Sequence, residues 1–109
     1  MTFFQSLPSI LLSSLLLSVV GCAGPPELES DEAILTTDAL YTAITSRRTE
    51  LLDDSEERLK KLRDDGQLSG KAFEALADII QQARSGDWQD AAEDLDSFIR
   101  HQPPHAHGG

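Results

Sequence analysis

The chain is poor in most of the residues that announce a chemistry. Its 109 residues include one cysteine, one tryptophan, one tyrosine and one methionine. A single cysteine excludes a disulfide framework within the chain, which needs an even set. Basic residues are scarce too, with 9 Lys and Arg against 19 Asp and Glu and a formal net charge of −10. That balance argues against nucleic acid, whose phosphates need clustered basic residues, and against lying flat on anionic lipid. No stretch alternates apolar and polar residues with period two, and no Asn-Gly pair marks a hairpin. No apolar run reaches the roughly 20 residues of a membrane-spanning helix.

What is present begins with an apolar run, Leu7 to Val20, interrupted by Pro8 and serines. Its length suits the apolar core of a signal peptide. Its amino-terminal flank, Met1 to Ser6, has no Lys or Arg, so the positive charge usual there rests on the terminal amine. The run ends in Leu17-Ser18-Val19-Val20-Gly21-Cys22, which resembles the lipobox of bacterial lipoprotein precursors. In that family the cysteine thiol receives a diacylglyceryl group, the signal peptidase cuts before it, and the freed amine is acylated, commonly with palmitate. The resemblance implies removal of residues 1–21 and lipidation of Cys22. It also implies attachment to the bacterial cell envelope, and Ala23 after the cysteine implies the outer membrane in a host with two membranes.

Residues 1–26 hold no ionisable side chain except Cys22, so the negative charge belongs to the mature part. Residues 22–30 read as a lipidated tether, since Pro25 and Pro26 favour extended chain; it reaches about 25 Å at about 3.3 Å per residue. Residues 31–102 read as a helical bundle and 103–109 as a flexible tail. The bundle is near the size at which one apolar core is only marginally sufficient.

The periodicity beyond Asp31 is helical. Ile34, Leu40, Tyr41, Ile44, Leu51, Leu52, Leu59 and Leu62 share about one third of the helical circumference. No glycine or proline interrupts Asp31 to Asp65, which predicts one long helix, although Thr45 to Thr49 is a run of poor helix formers where a break would fall. Gly66 stops it. A second helix follows Ser69 as N-cap, with Phe73, Leu76 and Ile80 on its apolar stripe, and ends at Ser85-Gly86. A third begins at Asp87, expected to cap it, and places Trp88, Leu95 and Phe98 inward before Pro103-Pro104 forbids continuation. The expected fold is all-α, a small antiparallel bundle of one long and two shorter helices behind a cleaved signal. Leu59, Leu62, Phe73, Leu76, Ile80, Trp88, Leu95 and Phe98 are its expected core, with Trp88 a plug whose truncation costs about 3–5 kcal/mol.

Gly66-Gln67-Leu68-Ser69, the helix bearing Leu76 and Ile80, then Ser85-Gly86-Asp87-Trp88 and Ala91-Ala92 together resemble a known helical domain. It is the domain of steroid receptor RNA activator protein and of the C-terminal region of the COPII outer-coat protein. The resemblance covers about residues 47–101 and implies an all-α bundle with a binding or scaffolding role.

Candidate chemistry is thin. His101, His105 and His107 lie close together, but a flexible tail does not preorganise the three or four ligands of a zinc site. The acidic pairs Asp53-Asp54, Glu56-Glu57 and Asp64-Asp65 lack calcium-loop spacing, and no serine sits in a nucleophile elbow. No catalytic residue, metal or cofactor is expected, and the chain reads as a non-enzyme. Two shorter helices can cover only half of a long one. That reasoning leaves Ile34, Leu40, Tyr41 and Ile44 as a bare apolar stripe, a candidate surface for another envelope protein or a second copy. The expected function is a membrane-anchored interaction or scaffolding module, with a small-ligand binder or enzyme using an interhelical pocket as the alternative.

Overall fold

Ser30 accepts the amide of Ala33 at 3.0 Å, Ser69 accepts that of Ala72 at 3.1 Å, and two helices start at these caps. The computed structural model describes residues 25–103. Within them lie α1 (Asp31–Thr45), α2 (Thr49–Asp64), α3 (Gly70–Arg84) and α4 (Trp88–Arg100), with no strand among the described residues. Short turns make sequence neighbours antiparallel. Each helix packs against the next, and α1 closes the ring against α4. The fold is therefore all-α, a small antiparallel bundle, as the periodicity predicts.

The single long helix is not formed. The chain reverses at Ser46–Arg48, so the expected helix is two, and the apolar stripe of α1 folds back onto the core. Three successive helices end in one manner. Arg47, Gly66 and Gly86 have φ of 55°, 79° and 94°, each immediately after a C-cap residue. Arg47 N–H donates to the Ile44 carbonyl at 3.1 Å and Arg48 N–H to that of Ala43 at 3.0 Å. Gly66 and Gln67 repeat the pattern on Arg63 and Leu62, and Gly86 and Asp87 repeat it on Ala83 and Gln82. These are Schellman turns, which satisfy the terminal carbonyls through a left-handed residue. Glycine fills that position twice and arginine once, so the first turn lacks the usual sequence mark. Thr45 and Ser46 hydroxyls assist by donating to the Tyr41 and Thr42 carbonyls at 2.9 and 2.6 Å.

The energetics favour the reversal. A left-handed arginine costs about 1–2 kcal/mol. Leu40 and Ile44 become fully buried, and each such side chain contributes about 1.5–3 kcal/mol. They meet Leu52 and Leu59 of α2, Leu76 and Ile80 of α3, and Leu95 of α4, all completely buried. Of the other expected core residues, Phe98 is buried, whereas Leu62, Phe73 and Trp88 are half-buried against the core. Across the α2–α3 side, Arg84 forks to Asp53 at 2.8 Å and Glu56 at 2.6 Å. These contacts, Asp53 foremost, raise the guanidinium pKa still further. Arg63 stacks its guanidinium 4.3 Å from the Phe73 ring centroid.

Two further expectations need correction. Asp87 occupies the N-cap position of α4 but makes no capping hydrogen bond with its side chain. The segment read as a free tether is docked from Pro26 onward: Leu28 is buried, and Gln102 clamps the chain on both sides of Glu27. Two prolines in sequence suggest extension, and extended chain is what allows Leu28 to reach the end of the bundle.

Candidate functional site

The seam between α1 and α4 brings together the residues expected as a partner surface and Trp88. The structure divides that surface. Leu40 and Ile44 are wholly buried and belong to the core; Ile34 is half-buried, and Tyr41 retains 37 % of its surface. The expected bare stripe is thus withdrawn for Leu40 and Ile44, since the reversal at Arg47 supplies α2 and α4 as their cover. Tyr41 alone of the four stays open.

What replaces the stripe is a cleft of about 300 Å³ between the C-terminal end of α1 and the N-terminal end of α4. Tyr41 and Trp88 stand in its walls, Ile44 and Ala92 line it, and Arg47, Glu93 and Asp96 lie at its rim. Trp88 is therefore a half-exposed wall as well as a core contact, where the sequence reading had a plug. The antiparallel order of α1 and α4 brings Tyr41 to Trp88 across 47 residues of chain, and no local motif marks that meeting. Arg47 reaches the rim because its left-handed backbone turns the chain there.

The same seam continues toward the other end of the bundle. A second cavity of about 210 Å³ is bounded by Leu28, Ile34, Asp38 and Ile99, with Gln102 at its edge. Gln102 was not anticipated as important. Its oxygen accepts the Leu28 amide at 2.7 Å, and its amide nitrogen donates to the Pro26 carbonyl at 2.9 Å and the Phe98 carbonyl at 3.3 Å. Ser30 adds a hydroxyl bond to the Gln67 carbonyl at 3.0 Å. These contacts gather the entrance of α1, the α2–α3 turn and the exit of α4 at one end of the bundle. The cleft with Tyr41 and Trp88 lies at the opposite end, beside the Arg47 turn.

Three of the four acidic side chains of α4 are engaged with neighbours on their own helix or on α3. Asp96 pairs with Arg100 at 3.0 Å, Glu93 accepts from Gln89 at 3.3 Å, and Asp94 accepts from Gln82 at 3.0 Å. His101 is exposed, and its Nδ1 lies 2.7 Å from the Ser97 carbonyl. Cys22, His105 and His107 lie outside the described residues. Among the described residues, no three His, Cys, Asp or Glu side chains are grouped as a metal site, and no helix is long and apolar enough to cross a membrane.

Over the described residues, the class the structure defines is a small antiparallel bundle of four helices with an open interhelical cleft. No protein-family model matches the chain, and neither a curated protein nor a solved structure matches it.

Proposed function

We propose that the chain is a bacterial lipoprotein, anchored through acylated Cys22 after loss of residues 1–21, whose acidic bundle is a protein-interaction module on the envelope. The outer membrane is its address in a two-membrane host. The lipobox-like run carries the anchor. The single observation that carries the interaction role is the placement of the Tyr41–Trp88 cleft at the end of the bundle opposite the docked segment that leads back to Cys22. Because the chain is clamped from Pro26, Cys22 can lie at most about 13 Å of chain from the body of the protein, at about 3.3 Å per residue fully extended. On this reading, helices of about 22 Å, at 1.5 Å per residue over fifteen residues, point the cleft away from the bilayer. Half-exposed Tyr and Trp are the side chains that interface hot spots favour. The resemblance of residues 47–101 to the helical domain of a coat protein and an RNA activator protein supports a scaffolding role, and the acidity of the chain supports a protein partner over RNA. A cleft near 300 Å³ is at the lower end of what encloses a small ligand, which favours a partner's side chains over a metabolite.

Site-specific photocrosslinking in membranes tests this. A crosslinker at Gln89, on the cleft wall, is expected to capture a discrete protein adduct that one at Asp78 on α3 does not. Identical adducts from both positions, or none from either, contradict an interaction role for the cleft.

A further inference from the structure

Resting on that reading of the cleft, we infer that the α1–α4 seam accepts a short amphipathic helix of a different protein carrying Lys or Arg beside its apolar face. The seam has the required form. Two separate cavities lie along it, one walled by Trp88 and Tyr41 and the other by Ile34 and Ile99, and Trp88 and Ile99 are about 17 Å apart along α4, three helical turns at 1.5 Å per residue. Apolar contacts at this spacing suit the i, i+3, i+4 and i+7 anchors of a helix laid in a groove.

Charge selects the occupant. Glu93 and Asp96 stand at the rim of the larger cavity and Asp38 at that of the smaller. Asp96 and Glu93 are held only by Arg100 and Gln89 on the same exposed helix face, contacts that exchange readily for an incoming cation. A basic side chain between Trp88 and Tyr41 gains cation–π attraction from both rings and Coulombic attraction from the two acids. Arg47, the one Lys or Arg among the described residues that line the two cavities, lies at the turn end of the seam. It favours the C-terminal end of the docked helix there, where the macrodipole is negative. A second copy of this chain is a poor occupant, because each copy carries a net charge of −10 and like charges across an interface oppose association.

Trp88 is the only tryptophan in the chain, so its fluorescence reads occupancy of this seam directly. The full chain in non-ionic detergent is titrated with two tryptophan-free model helices that share a leucine face and carry either Lys or Glu on the other. The Leu/Lys helix is expected to shift Trp88 emission and to bind about tenfold tighter than the Leu/Glu helix, with the preference shrinking in high salt. Glu93→Lys with Asp96→Asn should abolish or reverse that preference. Asp54→Asn with Glu57→Lys, the same change of charge on α2, should leave it within about twofold of wild type. Equal binding of both helices, or equal loss in the two double variants, overturns a basic partner. Tighter binding of the Leu/Glu helix also overturns it, while leaving the cleft an interaction site. If neither helix perturbs Trp88 but Gln89 crosslinks to a partner, the partner chemistry is wrong and the proposed function stands; if both experiments are silent, both fail.

Discussion

Gln102 holds Leu28 across 74 residues of chain, its side-chain oxygen accepting the Leu28 amide at 2.7 Å while its nitrogen reaches back to Pro26. One amide side chain thereby joins the start of the described chain to the exit of α4. Leu28 fills the end of the core at 2 % exposure. Leu28→Ala is expected to cost about 2–3 kcal/mol, near the lower end for buried leucine because the site is terminal. Gln102→Ala should cost about 1–2 kcal/mol through the lost amide bonds. Chemical unfolding measures both, and limited proteolysis should show faster cleavage near Glu27 in either variant.

The three helix-ending turns give a second prediction. A Cβ added at Gly66 or Gly86 meets nothing within 4 Å, so only the left-handed backbone opposes substitution. Gly66→Ala and Gly86→Ala should each destabilise by about 1 kcal/mol. Arg47→Gly should stabilise by about 0.5 kcal/mol, since relief of the left-handed arginine exceeds the entropy that glycine loses. A destabilised Arg47→Gly protein would show that the Arg47 side chain itself supports the turn.

Those turns also explain what the sequence could and could not show. Ser69, Gly66 and Gly86 carry recognisable boundary chemistry, so α3 and α4 were legible nearly to the residue. The poor helix formers from Thr45 to Thr49 mark where a break between α1 and α2 would fall, but the pattern favours one continuous helix over it, because Arg47 takes a role that glycine fills elsewhere and because Leu40, Ile44, Leu52 and Leu59 keep one helical phase on both sides. Their common phase reflects a common core, reached by folding back instead of by continuation. The cleft was half legible. Tyr41 and Trp88 each drew notice, but their meeting depends on the pairing of α1 with α4, which local periodicity does not encode. Gln102 was invisible for the same reason, because nothing in Ile99-Arg100-His101-Gln102 announces a partner at Pro26.

The reversal makes α1 a core helix, which double substitution tests. Ile34→Glu with Ile44→Glu should cost several kcal/mol of monomer stability, at least about 3 from the buried Ile44 position alone. A variant that stays folded and merely fails to associate would restore the long helix with a bare stripe. Trp88→Ala, at a half-buried site, should cost about 2 kcal/mol, below the 3–5 kcal/mol of a fully enclosed aromatic. An equilibrium melt distinguishes the two values.

At the start of α2, Glu50 accepts from Arg48 Nε at 3.0 Å. Its carboxyl lies below the ordinary carboxylate pKa, chiefly through a hydrogen bond from its own backbone and then through Arg48. A depressed folded-state pKa contributes stability above the unfolded value and loses it as pH falls through the folded one. Glu50→Gln should therefore lower the melting temperature slightly at neutral pH and have no effect in strong acid, where the carboxyl is protonated in the folded and unfolded chain alike. An equal effect at both pH values would assign the loss to shape instead of charge.

The anchor is the most direct point at which the account can fail, because every statement about which way the cleft faces depends on it. Intact mass of the protein purified from the membranes of a lipoprotein-processing bacterium is the measurement. The account predicts a chain starting at Cys22, lacking residues 1–21 and heavier than the bare mature polypeptide by a diacylglyceryl group and an amide-linked acyl chain. An unmodified chain of 11.9 kDa, or a Cys22→Ala variant that still fractionates with the membrane, would contradict it.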